Sequence, residues 1–238
     1  MRDVIKLAIS GAGGRMGSTI WNLANQDKRF KVVAVFEKPG HPLVGQEKNG
    51  LVIADHLDGL KEADALIEFT TPEATVEHVV PCTLLKKAMV IGTTGLSADD
   101  VSVVEKGAED IPILFSPNMS FGANYVLKQA ARMAKEFGPS WDIEGVEFHR
   151  QPKPDKPSGT AKKAIQLIKE ATGREVPFHA VRIGGIPGKH GFYFARPGEV
   201  ISLIHEAEST ELFGRGALDF VPILVGKPAG LYTPDDLI

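Results

Sequence analysis

The stretch LAISGAGGRMG, residues 7–17, decides the fold of the N-terminal half. Residues 6–10 form an apolar strand pattern, Gly11, Gly14 and Gly17 follow at intervals of three, and residues 18–25 have a helical pattern. Glycine permits positive φ angles and lets a backbone approach a pyrophosphate closely. The start of a helix offers free N–H groups and a positive dipole end. This order of elements favours a dinucleotide site, while a tight turn that binds nothing is the alternative.

An acidic residue stands where such a site requires one. The second strand pattern, residues 31–36, ends at Glu37. An acid about 20 residues beyond the glycine loop accepts hydrogen bonds from the ribose hydroxyl groups of a dinucleotide. Lys38 is either a cation that pairs with the 2′-phosphate of NADP or a lysine that is merely solvated. The sequence therefore predicts NADPH or NADH as the cofactor and leaves the choice open.

Strand and helix patterns continue to alternate as far as residue 115. The strands are at 66–69, 89–91 and 113–115, and the helices are at 72–87 and 97–106. Alternation with short connections predicts a doubly wound parallel sheet, an α/β fold. Ligands of such sheets bind beyond the carboxyl ends of the strands. We therefore expect Thr70 and the loop Gly92-Thr93-Thr94-Gly95 to line the cofactor, unless both are simple turns.

The second half of the chain has a different pattern. It predicts helices at 123–137 and 158–172, a strand at 141–148, strand-like runs between 178 and 208, and a last helix at 211–224. We interpret this half as a mixed α+β domain with an open sheet. The boundary between the two domains is placed near residues 116–118.

The composition excludes several classes of protein. The 238-residue chain has a formal net charge of −3, so no basic field points to nucleic acid. Its one cysteine, Cys82, can form neither an internal disulfide nor a cysteine zinc site, which fits a reducing cytoplasm. We see no signal-peptide or membrane-spanning pattern. We expect a cytoplasmic protein with no nucleic-acid partner, no membrane partner and no metal.

A basic, proline-broken stretch, HRQPKPDKPSGTAKK at residues 149–163, precedes the helix at 158–172. His149 is the side chain there that can change protonation near neutral pH. Arg150 and Lys153 add a bidentate and a compact positive charge. A substrate with two carboxylates would match this set of donors. Taken alone, however, the stretch is more typical of a solvated basic loop.

The start of that helix adds a second kind of anion donor. Ser158 has the side chain of an N-cap. The N–H groups of Gly159 and Thr160 would then point away from a positive helix end, and Gly159 has no side chain to cover them. Such an arrangement suits a carboxylate.

The stretch EFHRQPKPDKPSGTA resembles the signature of the dihydrodipicolinate reductase family. GAGGRMG, FTTPEATVEHV, GTTGL, SPNMSFGAN and LVGKPAGLY occur in the family's order, so the chain is identified as a member over nearly its whole length. The resemblance implies NAD(P)H-dependent reduction of 4-hydroxy-tetrahydrodipicolinate in diaminopimelate and lysine biosynthesis. It also implies a homotetramer, a Rossmann domain at 1–119 and 210–238, and a substrate and tetramerisation domain at 120–209.

The resemblance assigns roles to individual residues. His149 is the proposed acid, and Lys153 shares the catalytic site. The substrate-binding residues are Arg150, Lys153, Ser158, Gly159 and Thr160. The cofactor-binding residues are Gly11, Gly14, Arg15, Met16, Gly17, Glu37, Lys38, Phe69, Thr70, Gly92, Thr93, Thr94, Ser116, Asn118 and Met119.

Two positions of the signature depart from the family. Arg150 replaces the second His, which contacts substrate in the family, and Lys156 replaces an Ala. Arg150 is longer than His and permanently charged. An NAD(P)-dependent dehydrogenase acting on another small dicarboxylate is therefore the first alternative, and a non-catalytic nucleotide-binding sensor is the second.

Overall fold

The computed structural model describes residues 4–238, which fold into two compact units. The elements of the first half are β1 (Ile5–Ser10), α1 (Arg15–Gln26), β2 (Phe30–Phe36), β3 (Glu47–Lys48), β4 (Leu51–Val52), β5 (Ala65–Glu68), α2 (Pro72–Leu84), β6 (Ala88–Ile91), α3 (Ala98–Ala108) and β7 (Pro112–Phe115). Those of the second half are α4 (Phe121–Phe137), β8 (Asp142–His149), α5 (Gly159–Thr172), β9 (Phe178–Arg182), β10 (Gly188–Arg196), β11 (Glu199–Ala207), α6 (Glu211–Leu224), β12 (Gly230–Tyr232) and α7 (Pro234–Leu237). One unit runs to Phe121 and resumes at Phe213–Ile238, and the other is Gly122–Leu212.

The first unit is built on a six-stranded sheet in the order β12-β7-β6-β5-β1-β2. All neighbouring strands in it pair in parallel. The chain runs from β1 to β2 on one side and to β5, β6 and β7 on the other. The strand order therefore reverses between β1 and β5, and such a switch point leaves a crevice at the carboxyl ends of the two strands.

Helices cover both faces of this sheet. One apolar core joins the sheet to α1 and α6 and includes the buried side chains of Trp21 and Phe220. The other joins it to α2 and α3 and includes Cys82 and Val104. Because both faces are covered, β5 and β6 are buried at every residue, as parallel strands in α/β proteins are. The predicted doubly wound sheet is confirmed.

The second unit has a four-stranded sheet in the order β11-β10-β8-β9. β10 pairs antiparallel with β11 and β8, and β8 pairs in parallel with β9, so the sheet is mixed. Side chains of α4 and α5 pack with Phe192 and Phe194 of β10 on one face. On β8, Ile143, Gly145, Glu147 and His149 alternate with more exposed residues and face the same side. The predicted mixed domain with an open sheet is confirmed.

Helix caps fall at predicted residues, whereas some predicted ends shift. Ser97 and Ser158 accept N–H bonds as N-caps, and Gly173 ends α5 with a φ of 72°. The helix predicted at 18–25 begins at Arg15 instead, because the last part of the glycine loop already has helical backbone. The helix predicted at 72–87 ends at Leu84, and Lys86 has a φ of 53°, which no helix continues through.

The sequence patterns missed the shortest elements. The β3–β4 ribbon and β12 contain only two or three residues per strand. β12 exists because it pairs with β7, which is distant in the chain. None of the helices within residues 4–238 combines the length and the hydropathy that a bilayer crossing requires.

Candidate active site

A cleft of about 580 Å³ opens at the switch point between β1 and β5. Its walls come from the glycine loop, the end of β2 and the start of α2. Six predicted cofactor residues line it: Gly11, Gly14, Glu37, Lys38, Phe69 and Thr70. We call this the switch-point cleft. Its position and its size suit a small organic ligand.

Two glycines of the loop hold places that no side chain can enter. Gly11 has a φ of +77°, and a Cβ there would lie 2.5 Å from the carbonyl oxygen of Phe69. A Cβ on Gly17 would lie 2.0 Å from the carbonyl oxygen of Gly11. Contacts this short require backbone movement, so the tight loop depends on both glycines. The lack of a side chain at Gly17 therefore lets the helix pack closely against the loop, while Gly11 provides the positive φ angle of the turn.

The N-terminus of α1 is open towards an anion. Gly14 is its N-cap, with no side-chain cap bond, and the first turn contains no acidic residue. The first N–H groups of a helix have no partner within the helix, and they lie at the positive end of its dipole. Arg15 and Met16, which were predicted to bind cofactor, belong to this first turn, and Arg15 is exposed.

Glu37 joins the end of β2 to the glycine loop. Its Oε2 accepts the N–H of Gly13 at 2.8 Å, and its Oε1 accepts the N–H of Lys38 at 2.9 Å. A carboxylate has about four lone-pair sites, so both oxygens can accept further hydrogen bonds. The carboxylate is therefore held beside the loop, where ribose hydroxyl groups would need it.

The loop at 92–95 was predicted to line the cofactor, but its residues do not line the switch-point cleft; two of them support the segment after β5, which does. A Cβ on Gly92 would lie 2.1 Å from Cζ of Phe69, so the absence of a side chain makes room for that ring. The buried hydroxyl of Thr93 accepts the N–H of Thr70 at 3.1 Å and lies 2.9 Å from the hydroxyl of Thr75. Thr94 is exposed. Gly92 and Thr93 thus fix the loop that follows β5.

The segment after β7 is held by its own hydrogen bonds. The buried Ser116 hydroxyl donates to the carbonyl of Asn118 at 2.9 Å, and Asn118 Oδ1 accepts the N–H of Ser120 at 3.0 Å. Met119 was predicted to bind cofactor, but its side chain lies in the core of the first unit with 2% exposure. Any contact that Met119 makes with a ligand must therefore come from its backbone.

The sequence patterns missed a buried carboxylate beside the cleft. Glu68 closes β5 with no exposure, and its Oε2 lies 2.6 Å from Nδ1 of His78. Its other oxygen accepts a hydrogen bond from the Thr70 hydroxyl. A charged residue that ends an apolar strand was the available signal. The contact with His78 depends on how α2 packs, which the sequence does not state.

In the second unit, α5 begins with the predicted anion donors. The Ser158 hydroxyl accepts the N–H of Ala161 at 3.2 Å. Gly159, the first residue of α5, is exposed, with open space where a Cβ would lie. Thr160 follows it in the first turn. The N–H groups at this helix end are therefore reachable by a carboxylate.

A carboxylate of the protein already lies there. Lys153 Nζ is 2.8 Å from Oδ1 of Asp155. The hydrogen bond from Lys153 lowers the pKa of Asp155, and the N–H of Gly159 lowers it further. Asp155 therefore pairs with Lys153 and lies near the N–H of Gly159, two of the groups that were predicted to hold a substrate carboxylate. Arg150 is exposed on the same loop.

Arg182 is the buried cation of this unit, and the sequence patterns missed it. Its side chain is 4% exposed and pairs with Glu147 at 2.9 Å. It also donates to the carbonyl oxygens of Lys153 at 3.2 Å and of Asp155. Arg182 therefore ties the basic loop to β8 and β9.

Glu147 lies at the centre of a buried polar group that we call the Glu147 cluster: Glu147, His149, Ser158, Arg182 and His190. Its Oε1 accepts from Arg182 at 2.9 Å and from the N–H of Ser158 at 3.0 Å. Its Oε2 lies 3.6 Å from Nε2 of His149 and 3.6 Å from Nε2 of His190. Burial raises the pKa of Glu147, but the nearby rings of His149 and His190 and the hydrogen bonds from Ser158 and Arg182 outweigh burial and hold it well below its usual range.

The comparisons with known proteins agree with this architecture. Residues 5–119 match the family model described as dihydrodipicolinate reductase, N-terminus, and residues 122–238 match the model for its C-terminus. A 4-hydroxy-tetrahydrodipicolinate reductase of Trichlorobacter lovleyi is 36% identical over 264 residues, covering 99% of each chain. One of Geobacter metallireducens is also 36% identical, with the same coverage.

Solved structures give the same result. The dipicolinate-bound dihydrodipicolinate reductase of Paenisporosarcina sp. TG-14 superposes with a TM-score of 0.83 at 25% identity, over 97% of this chain and 98% of that one. An amine dehydrogenase of Mycobacterium smegmatis, at 12% identity and a TM-score of 0.62 over 100% and 97% of the two chains, shares the fold.

The parallel sheet, the glycine loop and Glu37 define a dinucleotide-binding fold that is followed by a second, mixed α+β unit. The two family models together span nearly the whole chain. The chain belongs to the dihydrodipicolinate reductase family.

Proposed function

We propose that the chain reduces 4-hydroxy-tetrahydrodipicolinate, by way of dihydrodipicolinate, to tetrahydrodipicolinate with NADPH or NADH, in diaminopimelate and lysine biosynthesis. One observation carries the proposal. The signature segment at 147–161 places a buried histidine, a lysine and an open helix start around one loop. That set suits a small dicarboxylate. The proposal is also supported by two relatives, 36% identical over nearly their whole length, that are named 4-hydroxy-tetrahydrodipicolinate reductase.

The first unit is the proposed dinucleotide domain, as predicted for 1–119 and 210–238. The N–H groups at the start of α1 would hold the pyrophosphate, and Gly11 and Gly14 would allow its approach. Glu37 would accept hydrogen bonds from the ribose hydroxyl groups, and the exposed Lys38 would pair with a 2′-phosphate if the cofactor is NADPH. The second unit is the proposed substrate domain, as predicted for 120–209.

The reaction requires a hydride and a proton. The nicotinamide cofactor supplies the hydride, and the chain supplies binding, orientation and electrostatics. One substrate carboxylate would displace Asp155 from Lys153 and from the N–H of Gly159. The exposed Arg150 would hold the second carboxylate. These contacts place the substrate ring beside the loop that carries His149.

His149 is the proposed proton donor. The electron-rich carbon next to the site of reduction must gain a proton, and a positioned acid typically contributes about 10²–10⁴-fold to such a step. His149 is buried, with 7% exposure, at the end of β8. Its ring is therefore largely shielded from water and fixed in direction.

The test is to follow NADH and NADPH oxidation in parallel, with substrate generated in place from pyruvate and aspartate semialdehyde by the synthase. Turnover with either cofactor supports the proposal, and the ratio of the two rates gives the cofactor preference. No turnover with either, when both bind by calorimetry, would contradict it. Oxidation with a different dicarboxylate would then support the alternative that Arg150 suggests.

The open face of the second sheet supports the proposed homotetramer. Val200 and Ile204 of β11 are 64% and 45% exposed. By the strand register, Ile204 and Val146 flank Gly191, away from the face that α4 and α5 cover. Self-association would cover these exposed apolar side chains. Light scattering should give a mass of about four 25.6 kDa chains, and Ile204→Lys should lower it. A wild-type monomer would contradict the tetramer.

A further inference from the structure

The Glu147 cluster contains an unsatisfied buried carboxylate oxygen. Glu147 has no exposure, and its Oε1 already has two donors. Its Oε2 makes no hydrogen bond, and neither does Nε2 of His149, although both atoms are buried. Such groups are rare in folded proteins, and each needs a physical reason. The two atoms face each other at 3.6 Å.

The hydrogen bond at Nδ1 of His149 limits the protonation states that Nε2 can have. Nδ1 lies 3.1 Å from the carbonyl oxygen of Pro187, which can only accept, so Nδ1 carries a hydrogen. In a neutral ring, Nε2 would then be a bare lone pair facing a carboxylate. In a charged ring, Nε2 carries a hydrogen that faces the same carboxylate. The geometry therefore favours the charged ring of His149.

Strand register brings the groups together. Glu147 and His149 are two residues apart on β8, so both face the covered side of the sheet. His190 on β10 lies directly opposite Glu147, and its Nε2 is 3.6 Å from Oε2 of Glu147 and 3.3 Å from the Ser158 hydroxyl. Ser158 in turn begins α5. One carboxylate thus links the histidine to the helix end that is proposed to bind substrate.

We propose that Glu147 is a positioning residue that stabilises the charged ring of His149, and that Arg182 and the N–H of Ser158 hold Glu147 in the direction that this requires. The inference rests on the proposed function, in which His149 is the acid. In the proton transfer, the substrate carbon takes the place of the Pro187 carbonyl at Nδ1 of His149: the Nδ1–H bond breaks, a C–H bond forms on the substrate, and the ring is left neutral with its remaining hydrogen on Nε2, facing Glu147. Glu147 stays ionised throughout, and Nδ1 regains a proton from water after the product leaves.

The kinetic test compares Glu147→Gln with His149→Gln. Glu147→Gln keeps the shape of the side chain but removes its charge. We expect kcat to fall by about 10²-fold or more while KM changes little, because no substrate contact is lost. The double variant should be no slower than His149→Gln, because residues that act as one unit are not additive. Unchanged kcat, or losses that multiply in the double variant, would overturn the proposal.

The control is Glu144→Gln. Glu144 lies on the same strand but on the open face, where it pairs with His179 at 2.9 Å and more than half of each side chain is exposed. This variant removes a glutamate–histidine pair without touching the cluster, and it should keep the wild-type kcat. A loss of kcat equal to that of Glu147→Gln would mean that removing any charge from β8 slows the reaction, which would also overturn the proposal.

A readout without turnover separates this inference from the proposed function. Long-range ¹H–¹⁵N spectra of the ligand-free protein at neutral pH count the protons on the His149 ring. The charged fraction should be larger in wild type than in Glu147→Gln, and equal fractions would overturn the inference. If the wild type reduces no substrate, the proposed function fails while this measurement still decides the role of Glu147.

Two further outcomes keep the test decisive. If Glu147→Gln does not fold, Glu147→Asp takes its place. The shorter side chain keeps the charge but holds it farther from His149, so kcat should still fall. An unchanged kcat would overturn the proposal. Oε2 of Glu147 and a ring nitrogen from each of His149 and His190 also lie within 4.8 Å of one another, a spacing that a metal ion accepts. A tetrahedral Co²⁺ spectrum that is lost in His149→Gln would show that the cluster binds a metal ion instead of holding a protonated His149. That result would overturn the proposal.

Discussion

The switch-point cleft and the Glu147 cluster differ in how the chain supplies their polar groups. The cleft uses short continuous stretches, and many of its contacts come from the backbone, such as the Gly13 N–H on Glu37 at 2.8 Å. The cluster uses side chains from β8, β9 and β10 and from the start of α5. The cleft is therefore determined by short stretches of sequence, and it depends on glycines, which leave room for close backbone contacts. The cluster depends on strand register and on balanced buried charge.

The largest expected effect is on buried charge. Arg182→Leu leaves the carboxylate of Glu147 buried without its cation, and breaking a buried pair in this way costs about 3–5 kcal/mol. The control is Lys189→Met, which removes a partly exposed pair with Glu206 and should cost less than about 1 kcal/mol. Urea unfolding measures both. Equal losses would mean that the cluster is no more sensitive to charge than the surface of its sheet.

The cleft should respond to added volume instead. Gly17→Ala places a Cβ 2.0 Å from the carbonyl oxygen of Gly11. Forcing a group into such a contact costs about 1–3 kcal/mol, and the displaced loop should bind nucleotide more weakly. Ser18→Ala, one residue further on, should change stability by less than about 0.5 kcal/mol. Thermal unfolding and calorimetry with NADH check both variants, and normal NADH binding by Gly17→Ala would contradict the role of the loop.

Acid should weaken the cluster through Glu147. Its pKa in the folded chain lies below the ordinary value of 4.5, so its contribution to stability is complete above about pH 4.5 and is lost as the pH falls further. The stability difference between wild type and Glu147→Gln should therefore shrink below pH 4.5, by at most about 1.4 kcal/mol per pH unit. A difference that is independent of pH would contradict an ionised Glu147.

The smallest expected effect is at Asp155. Its carboxylate pairs with Lys153 near the N–H of Gly159, where a substrate carboxylate is proposed to bind. Since an exposed pair of this kind is worth about 0.2–1 kcal/mol, Asp155→Asn should strengthen dipicolinate binding by about 1.4- to five-fold. Calorimetry measures the change. Weaker binding would mean that Asp155 orients Lys153 for the ligand rather than competing with it.

The same difference explains what the sequence could predict. Gly11, Gly17 and Glu37 are recognisable because their spacing along the chain is the feature that matters. The Ser158 cap and the glycine end of α5 are recognisable for the same reason. The sequence also predicted the parallel sheet, because strand and helix patterns alternate along the first half with short connections.

The cluster could be predicted only in part. Glu147 was within reach, because it stands two residues before His149 in an alternating strand. His190 and Arg182 were not, because their positions depend on the pairing of β10 and β9 with β8. For Thr93 and Met119, which were assigned to the cofactor, the sequence did not show that the hydroxyl of Thr93 braces a loop and that the side chain of Met119 fills the core.

The most direct test of the account measures both ligands on two variants. Calorimetry of NADH and of dipicolinate is carried out with wild type, Gly17→Ala and Lys153→Met. Lys153→Met should weaken dipicolinate binding by about 10- to 100-fold, since a charge-assisted hydrogen bond is worth about 1.5–3 kcal/mol, and should leave NADH binding alone. Gly17→Ala should do the reverse. A variant that weakens both ligands equally, or neither, would contradict the assignment of nucleotide and dicarboxylate to two separately built sites.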